Sequence, residues 1–339
     1  MKKINWGIIG LGRIANTFAN AFEYVENSKL LGISSNSLKN IKSFQERYKI
    51  SDKYCFHNYE QLINCEEIDI IYIALPHSFH FEWIMKCIQL NKNILVEKPA
   101  TINFTEIKKV NEKLKNSNLF FAEAFMYLYH PQILSIIDII KKDKIGELQF
   151  MQSNFGFNIV EKKFLGFKWN KINKKKRLFN KKLGGGSILD IGCYPSSLSI
   201  IIAKLKSKTD LDKLEITNVK KDFGSSDVDI DAYAELKFDN NFTSEIKSSF
   251  KKNLGQSTRI VGSKGEIFIE NSWFCNPSKI TINGSIYDNH KENLKNLYSY
   301  QIEKISKCLI EDRKDPIYPA MNRYDTEQNM KVLNRWIEN

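Results

Sequence analysis

The chain has 339 residues, of which 42% are hydrophobic and 27% are charged, as in a globular protein long enough for two domains. No apolar run approaches the roughly 18 residues of a membrane helix, so we expect no membrane partner. The six cysteines are scattered, which suits a cytoplasmic location and argues against a metal site. The net charge is +12, but the lysines are dispersed and no recognition motif accompanies them, so we expect no nucleic-acid partner.

Strand and helix patterns alternate over the first 122 residues. Short apolar runs predict strands at 4–9, 30–34, 69–75, 94–96 and 119–122. Helical periodicity predicts helices at 14–25, 38–48, 81–90 and 105–115. This alternation is typical of a doubly wound parallel sheet, and we predict an N-terminal Rossmann domain over residues 1–122.

The pattern changes over residues 123–339, for which we predict a second α/β domain. Helices are expected at 131–142, 188–203, 292–311 and 320–336, and a long strand at 146–157. Residues 158–182 are basic and are expected to be irregular. Alternating segments at 232–238, 243–250, 259–261 and 266–270 predict a large, open, mostly antiparallel sheet. We expect the last helix to pack back on the first domain, and the open face of the sheet to form a homodimer or homotetramer.

A glycine motif follows the first predicted strand and precedes a helix. Gly10 permits a tight turn, Gly12 lets the backbone approach a pyrophosphate, and Ala15 takes the close-packing position. Glycines also end strands in proteins without such a ligand. At the start of an alternating pattern, the motif favours a dinucleotide cofactor.

The end of the second predicted strand usually distinguishes NAD from NADP. Ser35 and Asn36 stand there, and Lys39 follows closely. Because no acid is present for the ribose hydroxyls of NAD, we expect NAD or NADP with a slight preference for NADP, and Lys39 is a candidate cofactor contact. A polar turn in which Ser37 caps the next helix fits either cofactor.

Two further motifs carry residues suited to catalysis. Lys98 follows a predicted parallel strand, where it could stabilise charge on a substrate oxygen, although most lysines in such places are surface residues. Three glycines at 184–186 precede Asp190 and Tyr194, which are four residues apart and would share one face of a helix. An acid and a phenol there could relay a proton. The alternative is that Asp190 caps the helix and Tyr194 packs in the core.

Together these motifs resemble the glucose–fructose oxidoreductase, inositol dehydrogenase and rhizopine catabolism (Gfo/Idh/MocA) family. The resemblance rests on GLGRIA at 10–15, ALPHSFH at 74–80, EKPA at 97–100, AEAFMYLYHP at 122–131 and LGGGSILDIGCYP at 183–195. It covers nearly the whole chain. The last two motifs are most similar to the branch that contains dimeric dihydrodiol dehydrogenase and D-xylose dehydrogenase.

The resemblance implies a set of cofactor-binding residues. Those expected at the pyrophosphate are Gly10, Gly12, Arg13 and Ile14; at the adenosine ribose, Ser35 and Asn36; along the cofactor cleft, Leu75, Pro76, His77 and His80; and at the nicotinamide ribose and substrate, Glu97 and Lys98. It also implies that Tyr194 is the acid/base, that Lys98 tunes it, that Asp190 faces the substrate hydroxyl, and that no metal is needed.

The implied activity is NAD(P)-dependent hydride transfer to or from a secondary alcohol or ketone of a small-molecule substrate. A sugar, polyol, nucleotide sugar or cyclic diol would fit. The alternative is a non-catalytic dinucleotide sensor of the same fold. Two departures from the branch concern Asn36 and Leu128, where arginine is frequent; the first weakens the case for NADP, and the second affects substrate or inter-subunit contacts. Residues 162–182 would cover the substrate cleft or form a solvated loop.

Overall fold

The computed structural model describes residues 3–164, 167–170, 172–205, 209–290 and 296–339. The chain divides into two compact units. Unit 1 contains Met1–Thr101, Thr105–Tyr129 and Leu294–Thr326, and unit 2 contains Ile102–Phe104, His130–Asn293 and Glu327–Asn339. The sequence suggested one boundary at residue 122, whereas unit 1 also takes in a segment near the C-terminus.

The strands and the α-helices form two sets, each numbered in chain order. The strands are β1 (Ile4–Ile9), β2 (Ser28–Ser34), β3 (Cys55–Phe56), β4 (Ile70–Ile73), β5 (Asn93–Val96), β6 (Phe121–Glu123), β7 (Leu148–Gly156), β8 (Glu161–Phe164), β9 (Phe167–Asn170), β10 (Glu215–Phe223), β11 (Asp229–Lys237), β12 (Thr243–Ser249), β13 (Thr258–Gly262), β14 (Gly265–Ile269), β15 (Ser278–Ile282) and β16 (Ser285–His290). The α-helices are α1 (Arg13–Asn20), α2 (Leu38–Tyr48), α3 (Tyr59–Asn64), α4 (His80–Gln89), α5 (Phe104–Leu114), α6 (Pro131–Lys141), α7 (Cys193–Ala203), α8 (Leu297–Ile310) and α9 (Arg323–Glu338).

Unit 1 is built on a six-stranded parallel sheet in the order β3-β2-β1-β4-β5-β6. The strand order reverses at β1, between β2 and β4, and this switch point is where open α/β sheets bind ligands. Aromatic packing joins the sheet to α1, since the rings of Phe18 and Tyr72 stack with their centroids 3.9 Å apart. On α8, Ser306 accepts a hydrogen bond from the buried Trp6 indole at 3.0 Å. The prediction of a Rossmann-type parallel sheet is confirmed.

Unit 2 is built on an eight-stranded sheet in the order β10-β11-β12-β7-β13-β14-β15-β16. Among the strand pairs described in this sheet, only β12–β7 is parallel, so the predicted mostly antiparallel sheet is confirmed. Burial alternates along β11: Ala232, Ala234 and Leu236 are buried, whereas Tyr233 and Glu235 are half-buried. One face of the sheet therefore packs into the core, and the other carries polar side chains.

Two segments of unit 2 differ from the sequence-based expectation. Residues 158–182, expected to be irregular, contain the antiparallel pair β8 and β9. Lysine-rich strands lack the apolar alternation by which strands are recognised. The helix expected at 188–203 begins with a π-helical turn, Ile188–Gly192, before α7 continues it. Within the stretch Lys181–Ala203, the most apolar 18-residue window has a mean hydropathy of 1.3, and this window is 100% buried, as in a core helix.

Candidate active site

The turn after β1 has the shape of a phosphate-binding loop. Gly10 has φ +86°, and a Cβ there would lie 2.5 Å from the carbonyl oxygen of Ala74, so only glycine fits. Gly12 is exposed, and a Cβ there would meet no atom within 4 Å. Gly12 is also the N-cap of α1, without a capping side chain or an acid in the first turn. The N–H groups of α1, beginning at the exposed Arg13 and the half-buried Ile14, are therefore open to an anion.

A cavity of about 420 Å³ lies at the carboxyl ends of β2 and β4 in unit 1. Three residues predicted from the sequence line it, Asn36, Leu75 and Pro76. The sequence reasoning missed others, namely His57, Asn58, Tyr59, Phe79, Glu82 and Trp83. A sequence signal was present for Asn58, because asparagine is a preferred N-cap residue, and in the structure Asn58 caps α3 by accepting a hydrogen bond from the N–H of Glu60.

The segment after β2 is held by its own hydroxyl groups. Ser35 is buried and accepts a hydrogen bond from the N–H of Ser37 at 3.2 Å. Ser37 in turn caps α2 by accepting from the N–H of Asn40. Lys39, in the first turn of α2, is exposed. The polar-turn interpretation of this segment is therefore realised, and it leaves Asn36 and Lys39 at the surface.

The two histidines of the turn after β4 are both buried. His80 is fully buried, and its Nε2 and Nδ1 lie 2.8 Å from the carbonyl oxygens of Leu75 and Pro99 respectively. Because both ring nitrogens meet protein carbonyls, His80 braces the turn after β4 against the 97–100 loop. His77 is 4% exposed. The expectation that these histidines contact a cofactor stays a prediction.

The 97–100 loop, which carries Lys98, is held from below by buried polar groups. The hydroxyl of Tyr72 donates to the buried carboxylate of Glu97 in a short hydrogen bond. At the end of β6, Glu123 accepts a hydrogen bond from the N–H of Ala100 at 2.9 Å. Burial raises the pKa of Glu123 to about 8. Lys98 itself is half-buried at the edge where the parallel strands end.

In unit 2, the three-glycine turn leads into the π-helical turn that carries Asp190. The carboxylate of Asp229 accepts hydrogen bonds of 2.7 Å from the hydroxyl of Ser187 and the N–H of Ile188, and so caps this turn. A Cβ at Gly186 would lie 2.2 Å from Asp229, which explains the glycine. Asp190 lies inside the turn, so it is not the cap that the alternative interpretation proposed.

Asp190 forms an ion pair that the sequence did not reveal. The guanidinium of Arg177 donates to Oδ1 of Asp190 at 2.7 Å, and the two side chains are only 32% and 11% exposed. Arg177 belongs to the basic stretch 162–182. At least this part of the stretch is therefore fixed to a candidate catalytic residue, and it is not a solvated loop.

Tyr194 lies in the first turn of α7 among aromatic side chains. It is 5% exposed, and the centroids of Phe155 and Trp273 lie 5.3 and 5.6 Å from that of its ring. These rings shield the phenol from water and fix its orientation. Because Asp190 lies in a π-helical turn and Tyr194 in an α-helical one, the simple i, i+4 argument for a shared face does not apply.

Leu128, the second departure from the branch, is buried. It lies in the short helix Met126–Tyr129 of unit 1 and is 1% exposed. A hydrophobic side chain suits this environment.

Among the residues that the structure describes, no group of three or more His, Cys, Asp or Glu could hold a metal ion.

The fold and the loop after β1 define a protein with a dinucleotide-binding Rossmann unit. Comparison with family profiles matches residues 4–125 to the "Oxidoreductase family, NAD-binding Rossmann fold" and residues 133–268 to the "GFO/IDH/MocA C-terminal domain". The chain therefore belongs to the Gfo/Idh/MocA oxidoreductase family, as its motifs predicted.

Known relatives and solved structures resemble the chain over almost its whole length. Trans-1,2-dihydrobenzene-1,2-diol dehydrogenase of Xenopus tropicalis is 26% identical over 98% of this chain and 97% of its own, and that of Homo sapiens is 22% identical over 93% and 91%. Aldose-aldose oxidoreductase from Caulobacter crescentus, complexed with glycerol, has a TM-score of 0.84 at 20% identity, with 99% and 97% of the two chains covered. KijD10, a 3-ketoreductase from Actinomadura kijaniata, in complex with NADP and TDP-benzene, has a TM-score of 0.81 at 20% identity, with 98% and 96% covered.

Proposed function

We propose that this protein transfers a hydride between a nicotinamide dinucleotide and a secondary alcohol or ketone on a sugar, polyol, nucleotide sugar or cyclic diol. The observation that carries the proposal is that a chain of this oxidoreductase family has Lys98 after a parallel strand and Asp190 and Tyr194 on the first turns of a buried helix. A dinucleotide sensor would not need these three side chains. The diol dehydrogenases, the aldose-aldose oxidoreductase and the 3-ketoreductase that the chain resembles support the substrate range.

The residues present fit the cofactor. The nicotinamide ring, when bound, supplies the hydride acceptor or donor. Gly10 permits the tight turn, Gly12 leaves room for the pyrophosphate, and the first N–H groups of α1 would bind its oxygens. The cavity beside Asn36 would receive the adenosine.

Three side chains of the protein act on the substrate hydroxyl and its proton. Tyr194 is the proposed acid/base, since its phenol is held in one orientation and shielded from water by aromatic neighbours. The carboxylate of Asp190 accepts a hydrogen bond from the substrate hydroxyl and orients it. The ammonium of Lys98 stabilises negative charge on oxygen during the transfer.

A substrate panel tests this proposal. The purified protein is incubated with sugars, polyols, nucleotide sugars and cyclic diols and each cofactor, and formation of reduced nicotinamide is followed by absorbance. We expect turnover of at least one secondary alcohol. Tight cofactor binding without turnover of any compound, in either direction, would favour the sensor function instead.

We propose NADP as the slightly preferred cofactor. The turn after β2 has no acid to bind the ribose hydroxyls of NAD, and the exposed Lys39 is close in sequence. Glu82 lines the neighbouring cavity and opposes a 2′-phosphate, so the preference is expected to be small. Isothermal titration with each cofactor measures it, and NAD binding tenfold tighter, about 1.4 kcal/mol, would reverse the assignment.

We further propose a cytoplasmic homodimer or homotetramer that associates through the uncovered face of the eight-stranded sheet. Phe268 on β14 is 40% exposed, beside polar neighbours such as Arg259, which pairs with it in register. A mixed polar and aromatic surface is typical of interfaces between subunits. The six cysteines are free thiols, which is compatible with a reducing compartment.

A further inference from the structure

The ion pair between Arg177 and Asp190 joins two segments that are 13 residues apart. Both partners belong to unit 2 and both are more than half buried. A charge-assisted hydrogen bond in such a place is stronger than a surface ion pair, because solvent screens it less. Arginine is also permanently charged, so it acts on Asp190 at every working pH.

The local fold fixes the backbone of Arg177 against the turn that leads to Asp190. Its carbonyl oxygen accepts a hydrogen bond from the N–H of Asn180 at 3.1 Å. The same oxygen would lie 2.7 Å from a Cβ at Gly185, so only glycine allows this contact. Nearby, Phe179 is 3% exposed and its ring lies 6.0 Å from that of Phe250. Arg177 is therefore held in place before any substrate binds.

We propose that Arg177 is a positioning residue that keeps the Asp190 carboxylate ionised and in one rotamer, ready to accept a substrate hydroxyl. The proposal rests on the proposed function. Other titratable groups that the structure describes at this turn include the Asp229 carboxyl, which caps it, and the thiol of Cys193 and phenol of Tyr194, which follow it. A negative charge on Asp229 would disfavour ionisation of Asp190, and Arg177 offsets this effect.

Lys176 provides a matched control. It precedes Arg177 directly and carries the same charge, but its side chain is exposed. Lys176→Gln therefore removes one positive charge from the segment and leaves the ion pair intact. If the segment attracts anionic substrates only through its overall charge, Lys176→Gln and Arg177→Gln will raise KM by the same factor.

The test is a double-mutant cycle on an active substrate. We expect Arg177→Gln to lower kcat/KM on the order of tenfold, the loss typical of one charge-assisted hydrogen bond, and Lys176→Gln to leave it unchanged. In the Asp190→Asn background, Arg177→Gln should cause no further loss of kcat/KM. With Asp190 present, Arg177→Lys should retain more activity than Arg177→Gln, because lysine keeps the positive charge. Additive losses in the cycle, or equal losses for Lys176→Gln, would overturn the proposal.

A second measurement separates this proposal from the proposed function. Carboxyl-carbon NMR, with the Asp190 signal assigned by its loss in Asp190→Asn, follows the titration of Asp190 in the wild type and in Arg177→Lys and Arg177→Gln. We expect the titration midpoint to rise in Arg177→Gln only. If the wild type turns over no substrate, the proposed function fails, and this midpoint still decides the proposal: an unchanged midpoint in folded Arg177→Gln contradicts it.

Discussion

The two glycines of the loop after β1 have different roles that substitution can separate. At Gly10 a methyl group meets the Ala74 carbonyl, and φ is positive, whereas at Gly12 a methyl group enters open space. We expect Gly10→Ala to lower the melting temperature and abolish cofactor binding. Gly12→Ala should leave the melting temperature unchanged and weaken cofactor binding, because its methyl group occupies the place of the pyrophosphate.

Thermal melts and titration calorimetry measure both effects. Gly255 is a matched control outside the loop, because it too has open space around a Cβ, although its φ of +70° makes alanine mildly strained. Gly255→Ala should leave cofactor binding unchanged. Unaltered cofactor affinity in Gly12→Ala would show that the phosphates do not lie at this helix terminus.

The catalytic assignment makes a second prediction at the same scale. Lys98→Met and Tyr194→Phe should each lower kcat by a factor on the order of 100 or more, because each removes a group that stabilises or moves charge on the reacting oxygen. Both variants should still bind cofactor, since the pyrophosphate contacts at Gly10 and Gly12 are unaltered. Steady-state kinetics on the active substrate, with calorimetry as the control, check this. Full turnover by Lys98→Met would remove lysine from the mechanism.

At the scale of elements, the end of β6 supports the loop that follows β5. Glu123 is protonated up to about pH 8 in the folded protein but only up to its usual value of 4.5 in the unfolded chain. Folding therefore takes up a proton between these pH values, and the free energy of unfolding should fall as the pH rises from about 4.5 to about 8.

Glu123→Gln removes this dependence and keeps an oxygen to accept the N–H of Ala100. We expect the fall in stability over that pH range to be smaller by a few kcal/mol in the variant. Urea unfolding at a series of pH values measures it. Parallel curves for the two proteins would mean that Glu123 is ionised in the folded state.

Most elements of the fold could be predicted because they carry periodic apolar patterns. The helix α2, the strands β11 to β14 and every strand of the parallel sheet except β3 fall close to their predicted positions, whereas β3, β10, β15 and β16 had no predicted position. The β8–β9 pair was missed because lysine-rich strands carry no such pattern. Arg177 was missed for another reason: its partner is 13 residues away across a loop, and no local spacing reveals such a contact. The π-helical turn likewise depends on a tertiary contact, the capping by Asp229.

At the scale of the whole molecule, the uncovered sheet face predicts association. Light scattering at micromolar concentration should give the mass of a dimer or tetramer. Phe268→Glu, on the uncovered face, should shift the distribution toward the monomer, because it replaces an aromatic side chain of the interface with a charged one. Leu134→Glu, at an exposed position on α6, is the control and should have no effect. A monomeric wild type would contradict the proposed interface.

The assignment of Leu294–Thr326 to unit 1 has a consequence for biosynthesis. The hydrogen-bond acceptor of the Trp6 indole is Ser306, which is synthesised 300 residues later. At about 5–20 residues per second, the ribosome needs on the order of ten seconds or more to deliver α8 after it has completed β6. During that interval the nascent Rossmann sheet exposes an apolar surface around Trp6 and Phe18. We expect chaperones to bind this surface. A fragment that ends at residue 129, after β6, would keep that surface permanently, so it should aggregate on expression, whereas co-expression with residues 294–326 should return it to the soluble fraction.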